Sequence, residues 1–325
     1  MSHQTDGSRV FVEAPARLHF GVLDLGRARD RWFGGLGTAA PAPTLLVSAS
    51  AAGTLRADGD DGERAAAFGA RFLAHHGIRG GADVVVHRAL PRHAGLGSGT
   101  QLAMSVGRAL ATLYGVDGEA PGLARAVGRG RRSAVGTWTF AGGGLVVEGG
   151  RRPDGDACGP LLARLPFPPA WRCVVAVPEG SPGLDGLDEE AAFERLPAPP
   201  EDEVARVARA VLLSLLPALA DADIAAFGAA LTRIQEMTGE WFAPVQGGPF
   251  APGPSAELVR RMAEWGAAGV GQSSWGPAVY AVVGDPDAAA RLADRVRGVL
   301  GARGAVYEGA FPSQGARVWR GPLTP

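Results

Sequence analysis

Residues 90–101 read L-P-R-H-A-G-L-G-S-G-T-Q, and this segment constrains the fold more than any other. Three glycines, a serine and a threonine are packed between a strand-like run and an amphipathic, helix-like run. Gly95, Gly97 and Gly99 let the backbone take positive φ and approach an anion closely, while the free N–H groups of the following helix point at the same spot. Such a nest of donors, reinforced by a helix dipole, suits a diphosphate. The candidate contacts are His93, Gly95, Leu96, Gly97, Ser98, Gly99, Thr100 and Gln101. Every basic residue in the chain is arginine, so no lysine completes a Walker motif, and P-loop chemistry is excluded.

The missing lysine also removes Schiff-base chemistry and covalent pyridoxal phosphate, leaving anion work to arginine, whose guanidinium is always charged and bidentate. A formal net charge of −1 argues against a nucleic-acid partner, because phosphate-backbone binding needs a basic surface. Residues 1–9 are polar, and the longest apolar stretch, 210–220, is interrupted by Ser214 and Pro217; neither secretion nor a membrane span is expected. Cys158 and Cys173 form no C-x-x-C pair, which fits a reducing cytoplasm.

At 325 residues, one large or two medium domains are expected. Strand-like runs at 10–22, 44–50, 82–90 and 145–148, with a helix over 101–114, make the first half α+β. The aperiodic stretch 151–169 holds the boundary, dividing the chain into 1–165 and 166–325. Beyond it come strands at 171–177, 278–283 and 305–311. Helices are expected at 224–241, 256–265 and 287–300, and Val204, Val207, Ala208, Val211, Leu212, Leu215 and Leu219 line one further helical face.

Besides the glycine loop, three segments can carry chemistry. In A-P-A-R-L-H-F-G-V-L-D-L, Arg17 and His19 stand two apart and face one side of a strand, where they can grip a phosphate or carboxylate; Asp24 can hold Mg²⁺ or orient a neighbour. The reading against this is an edge strand with solvated polar residues. In residues 128–150, Arg129, Arg131, Arg132 and Ser133 form an anion site or, more plainly, a solvated basic loop. In G-V-G-Q-S-S-W-G-P, Gln272, Ser273 and Ser274 offer uncharged hydrogen bonds, and Trp275 offers a flat wall for an aromatic ring; a turn of small residues is the plain alternative. The G-L-G-T-A-A run at 35–40 follows Arg-Trp-Phe rather than a strand, which argues against a dinucleotide fold. The H-E-x-x-H and G-x-S-x-G motifs and Cys/His clusters are absent.

Arg17 with its strand, the loop P-R-H-A-G-L-G-S-G-T and the late turn G-V-G-Q-S-S fall in the order seen in the GHMP small-molecule kinases, which the chain resembles over most of its length. That resemblance implies an α+β, two-domain GHMP-superfamily fold, with an N-terminal ribosomal-S5-like domain and a C-terminal ferredoxin-like domain. The kinases carry S-G-x-D in the third segment, where this chain reads Ser133-Ala-Val-Gly136, so the aspartate that acts on the substrate hydroxyl is missing.

H-x-G-L-G-S-G-T-Q, R-G-R-R-S-A-V-G and G-Q-S-S-W-G-P are more similar to the ribofuranosylaminobenzene 5'-phosphate synthases. Ala134 departs from a common glycine, and Glu148 stands where an aspartate is expected. This second resemblance implies a cytoplasmic enzyme that joins phosphoribosyl diphosphate (PRPP) to a ring carbon of an aromatic acid with loss of CO₂ and diphosphate, a homodimer being admissible. Under it, Arg17, His19, Asp24 and Ser133 are catalytic, and Gln272 to Trp275 bind the acceptor. Asp24 or Glu148 meets Mg²⁺ through water. The favoured acceptor is 4-amino-pyrazole-3,5-dicarboxylate of C-nucleoside antibiotic pathways, suited to Arg131 beside Arg132; the alternative is 4-amino- or 4-hydroxybenzoate, used toward methanopterin-type cofactors. An ATP-dependent kinase using Asp24 and a catalytically silent PRPP-binding protein are the other readings.

Overall fold

A computed structural model describes residues 9–26, 30–153, 158–180, 183 and 186–323; parts of the polar start and of the expected boundary stretch lie outside them. Two sheets organise the chain. The first is built on β1 (Val10–Val22) and β2 (Gly35–Ala52), an antiparallel pair. Beyond β2 come β3 (Arg56–Gly59), α1 (Gly62–His75) and β4 (Gly81–Arg88), with β4 antiparallel to β2 and β3 parallel to β4. The glycine loop then leads into α2 (Ser98–Tyr114), followed by α3 (Ala120–Ala126), α4 (Val135–Ala141), β5 (Leu145–Glu148) and β6 (Leu161–Leu165). Helix α2 lies against β1 and β2, burying Leu102, Met104, Val106 and Leu110.

The second sheet has the order β10-β7-β9-β8. It is assembled from β7 (Arg172–Pro178), α5 (Gly186–Arg195), α6 (Glu201–Ala210), α7 (Leu216–Ala220), α8 (Ile224–Gln246), α9 (Pro254–Glu264), β8 (Gly269–Gln272), β9 (Val279–Val283), α10 (Pro286–Leu300) and β10 (Gly304–Ala310). Asp223 and Asp285 start α8 and α10 by accepting the N–H of Ala226 (3.0 Å) and Ala288 (2.7 Å) on their side chains. The last strand, β11 (Arg317–Arg320), returns to the first sheet and pairs antiparallel with β1, so that sheet draws on both ends of the chain.

Several elements differ from the periodicity. The strand expected at 44–50 is the second half of an 18-residue β2, whose first half is the glycine-rich run 35–40; its polarity pattern is lost because it is buried between neighbours. The single helical face over 204–219 is broken by a π-helical turn at Val211–Leu215. Val207, Val211, Leu215 and Leu219 stay buried at steps of four, a spacing that the underwound turn keeps in phase, while Leu212 turns outward and is 60% exposed. One hydrophobic core crosses both sheets, and Phe20 on β1 meets Tyr280 on β9 with ring centroids 4.7 Å apart.

Candidate active site

Two irregularities in β1 aim its polar residues. The pairing of β1 with β2 shifts register between Pro15 and Arg17 and again between His19 and Gly21, while Arg17 to His19 pair regularly with Ala39 to Gly37. The strand therefore bends on either side of a short segment that turns Arg17 and His19 into a common cavity. The cavity lies between β1, α5, α8 and the β8–β9 turn, and its polar lining includes Ser133, Arg132, Glu189 and Ser274, with Gln235, Thr238, Gln246 and Gln272 on the α8 side. Val22, Phe33, Phe193 and Phe242 form its apolar wall.

Arg17 links this cavity to the glycine loop. Its Nη1 donates to the carbonyl of Gly95 at 3.0 Å, its backbone N–H donates to the carbonyl of Leu96 at 2.9 Å, and Gly97 lies against its side chain. The Arg17 Nε is buried with no partner, so the guanidinium keeps a donor for an anion. Burial, partly offset by Glu189, lowers its pKa to about 10, which leaves it charged at neutral pH. Burial and the Arg17 charge push His19 down to about 3, so its ring is neutral. Its Nδ1 accepts the N–H of Gly21 (3.3 Å), which assigns the proton to Nε2, and Nε2 donates to Ser133 Oγ at 3.3 Å. His19 is thus a positioned donor rather than a base.

At the start of α2, the N–H groups of Thr100 and Gln101 turn back to the carbonyl of Gly97 (3.0 Å each), leaving those of Ser98 and Gly99 as orphan donors of the first turn. Arg129 stacks over Phe68 (4.8 Å to the ring centroid) and reaches the same turn: a Cβ added to Gly99 would lie 3.1 Å from Arg129 Nη2. The three arginines of the third segment therefore part company. Arg129 goes to the glycine loop, Arg132 pairs with Glu189 (2.6 Å) in the cavity, and Arg131 is exposed, its carbonyl accepting from Arg151 Nε at 2.6 Å.

Several expected site residues are structural supports. Gln101 is fully buried and clamps α2 to α4 by donating to the Gly136 carbonyl at 3.0 Å. Leu96 belongs to the core, and Thr100 faces Gly136. His93, at φ 53°, offers its carbonyl to the N–H of Gly183 at 2.7 Å. Ser273 is buried; its Oγ accepts the N–H of His19 (2.9 Å) and donates to the Gly95 carbonyl (2.7 Å), stapling β1 to the loop. Gln272 lines the cavity, but its side-chain amide bonds Gln246 and the Ser274 carbonyl, at 2.9 and 3.0 Å. Trp275 does not flank the cavity as expected. It packs edge-on behind Phe242 (4.9 Å) and Phe193 (5.6 Å), because those two rings fill the apolar face that it would otherwise present.

The carboxylates suggested for Mg²⁺ do not fit that role. Glu148 is buried with both oxygens filled by backbone N–H groups, of Ala134 (3.1 Å) and Gly150 (2.8 Å), and burial raises its pKa to about 7. Asp24 accepts the N–H of Gly26 at 2.6 Å, and neither residue lines the cavity. Among the described residues, no group of three His, Cys, Asp or Glu side chains could hold a metal ion. The kinase aspartate has no counterpart: a Cβ on Gly136 would meet Thr100 Cγ2 at 3.0 Å, facing α2 instead of the cavity. Phe33, Phe193, Phe242 and Glu189 went unmarked in the sequence because single aromatic or acidic residues in ordinary segments carry no spacing signal.

Known proteins resemble this chain in sequence and fold. Residues 64–141 match the family model for the GHMP kinases N-terminal domain, and residues 215–301 match that for GHMP kinases C terminal. The homoserine kinase of Cytophaga hutchinsonii superposes with a TM-score of 0.66 at 19% identity, covering 98% of this chain and 100% of that one. The β-ribofuranosylphenol 5'-phosphate synthase of Methanothermobacter thermautotrophicus is 32% identical over 294 residues, 84% of this chain and 88% of the relative. Its namesake from Archaeoglobus fulgidus is 33% identical over 284 residues, 83% of this chain and 87% of the relative. At that identity and coverage, and with both GHMP models matched, the chain belongs to the β-ribofuranosylphenol 5'-phosphate synthase family of the GHMP superfamily.

Proposed function

We propose that the chain is a C-glycoside synthase that joins PRPP to the carboxylated ring carbon of a 4-hydroxy- or 4-aminobenzoate, releasing CO₂ and diphosphate. The C1–O bond to diphosphate breaks and leaves oxocarbenium character on the ribose. The ring carbon then bonds to C1, and the C–CO₂ bond gives its electron pair back to the ring. Protons need not move, so no general base is required, and catalysis rests on charge placement and proximity. The observation that carries this reading is Arg17, a guanidinium that touches the glycine loop and opens into an aromatic-walled cavity whose sole carboxylate, among the described residues, is paired with Arg132.

In this reading the α2 amides and Ser98 hold the diphosphate, Arg17 faces both substrates, and Phe33, Phe193 and Phe242 enclose the ring. His19 and Ser133 line the reacting centre as neutral donors. Mg²⁺ belongs to the substrate as the counterion of the diphosphate. The benzoate acceptors are better supported than the pyrazole dicarboxylate. The relatives are named for a phenol product. A diacid would also need a second uncompensated guanidinium in the cavity, whereas Arg131 is exposed and Arg132 is already matched by Glu189.

The test incubates the protein with Mg²⁺, PRPP and each of 4-hydroxybenzoate, 4-aminobenzoate and 4-amino-pyrazole-3,5-dicarboxylate, following CO₂ and diphosphate together. One-to-one release with a benzoate is expected. Release with the pyrazole alone reverses the acceptor assignment; ADP formation from ATP and a small alcohol, without diphosphate release from PRPP, overturns the reaction class.

A further inference from the structure

Helix α1 brings arginine side chains to the start of α2, where like charge gathers. A Cβ on Gly99, the second residue of α2, would lie 2.8 Å from Arg64 Nη2 and 3.1 Å from Arg129 Nη2, so two guanidinium groups overhang the orphan amides of the first turn. Arg71, two helical turns after Arg64, reaches the same neighbourhood: its Nη1 would lie 3.1 Å from a Cβ on Gly128, next to Arg129. Arg64, Arg71 and Arg132 all act to repel the charge on Arg129, whose Nε is buried without a partner. Against this cluster stand Asp61, which is shared between Arg64 (3.2 Å) and Arg92, and Glu189, which favours the Arg129 charge but is already paired with Arg132. Among the described residues Arg71 has no ion pair. Like charges gathered in a partly buried position repel one another unless an anion joins them.

We infer that Arg64, Arg71 and Arg129 form the cationic half of a diphosphate subsite whose other half is the Ser98 and Gly99 amides, so that α1 takes part in binding the leaving group. A diphosphate carries enough negative charge to match three guanidinium groups, and its two phosphorus centres suit a site that has donors on two sides. Phe68 on α1 stacks under Arg129 and fixes the plane of its guanidinium. This inference rests on the PRPP reading for the source of the ligand, whereas the anion site itself does not.

The experiment measures binding of inorganic diphosphate and of ribose 5-phosphate separately, by calorimetry at fixed salt, to the full chain and to the Arg64→Gln and Arg71→Gln variants. Arg71 is exposed, so its replacement spares the core. Each variant is expected to weaken diphosphate binding about tenfold, the loss of one charge-assisted contact, and to change ribose 5-phosphate binding less than twofold. Unchanged diphosphate affinity in both variants, no diphosphate binding by the parent chain, or an equal loss for ribose 5-phosphate would overturn the assignment. Arginine-dependent diphosphate binding without turnover of PRPP and any acid would leave the subsite standing and remove the proposed reaction. Turnover with arginine-independent binding would do the reverse.

Discussion

At Gly97 two constraints meet in one residue. Its φ of 73° lies in the left-handed region, and an added Cβ would stand 3.3 Å from both Cβ and Nε of Arg17. Gly97→Val should therefore strain the loop and displace the guanidinium, lowering diphosphate affinity by more than tenfold; unchanged calorimetric binding would remove the loop from the site. Glu148 and His19 set opposing pH dependences. The folded chain holds a proton on Glu148 up to about pH 7, against an ordinary carboxylate value of 4.5, so this stability is complete below 4.5 and is lost as pH rises toward 7. His19 is neutral down to about pH 3 against an ordinary 6.5, so its contribution is complete above 6.5 and is lost as pH falls toward 3. Between pH 4.5 and 6.5 the two slopes oppose each other. Glu148→Gln should expose the His19 slope, and melting temperature should then rise more steeply with pH over that interval than in the parent; an unaltered profile would refute the raised Glu148 pKa.

Among the elements, β1 and the β8–β9 turn are both tied to the glycine loop by one hydroxyl, beside the backbone bonds of Arg17 to Leu96 and of Ala278 to Ala94. Ser273→Ala deletes the acceptor of the His19 N–H and one donor to the Gly95 carbonyl, leaving a buried N–H unmatched. The cost should be about 1–3 kcal/mol. Scanning calorimetry should show this as a drop of about 1–2 °C for each kcal/mol, because the unfolding entropy of one cooperative unit grows with its length. Catalysis should fall as well, because Arg17 shares the Gly95 carbonyl with that hydroxyl. A variant with the parent's melting temperature and turnover would show that the staple carries no energy. The sequence made the strand, the loop and helix α2 readable, since alternation, glycine spacing and helical periodicity are local. It did not place Trp275 behind the cavity wall or Arg131 at the surface, because the side of a turn or loop that faces a cavity depends on what packs opposite, here Phe193 and Phe242 for Trp275.

For the molecule as a whole, the continuous core predicts cooperative behaviour. Phe20 packs on Tyr280, β11 returns to β1, and buried residues of both sheets belong to one cluster. Thermal unfolding should be a single calorimetric transition with matching calorimetric and van't Hoff enthalpies; two resolved transitions would show that the halves fold apart. Among the described residues no helix is long and apolar enough to cross a membrane. The order of amino acids alone determines the α+β class, the glycine loop ahead of α2, the absence of lysine and the glycine at position 136, because each is written in residue type and short-range spacing. The partition of the arginines, the neutral tautomer of His19, the aromatic wall and the approach of α1 to the glycine loop emerged only when distant segments met, because burial, tautomer and charge balance belong to neighbours in space and leave no mark on spacing along the chain.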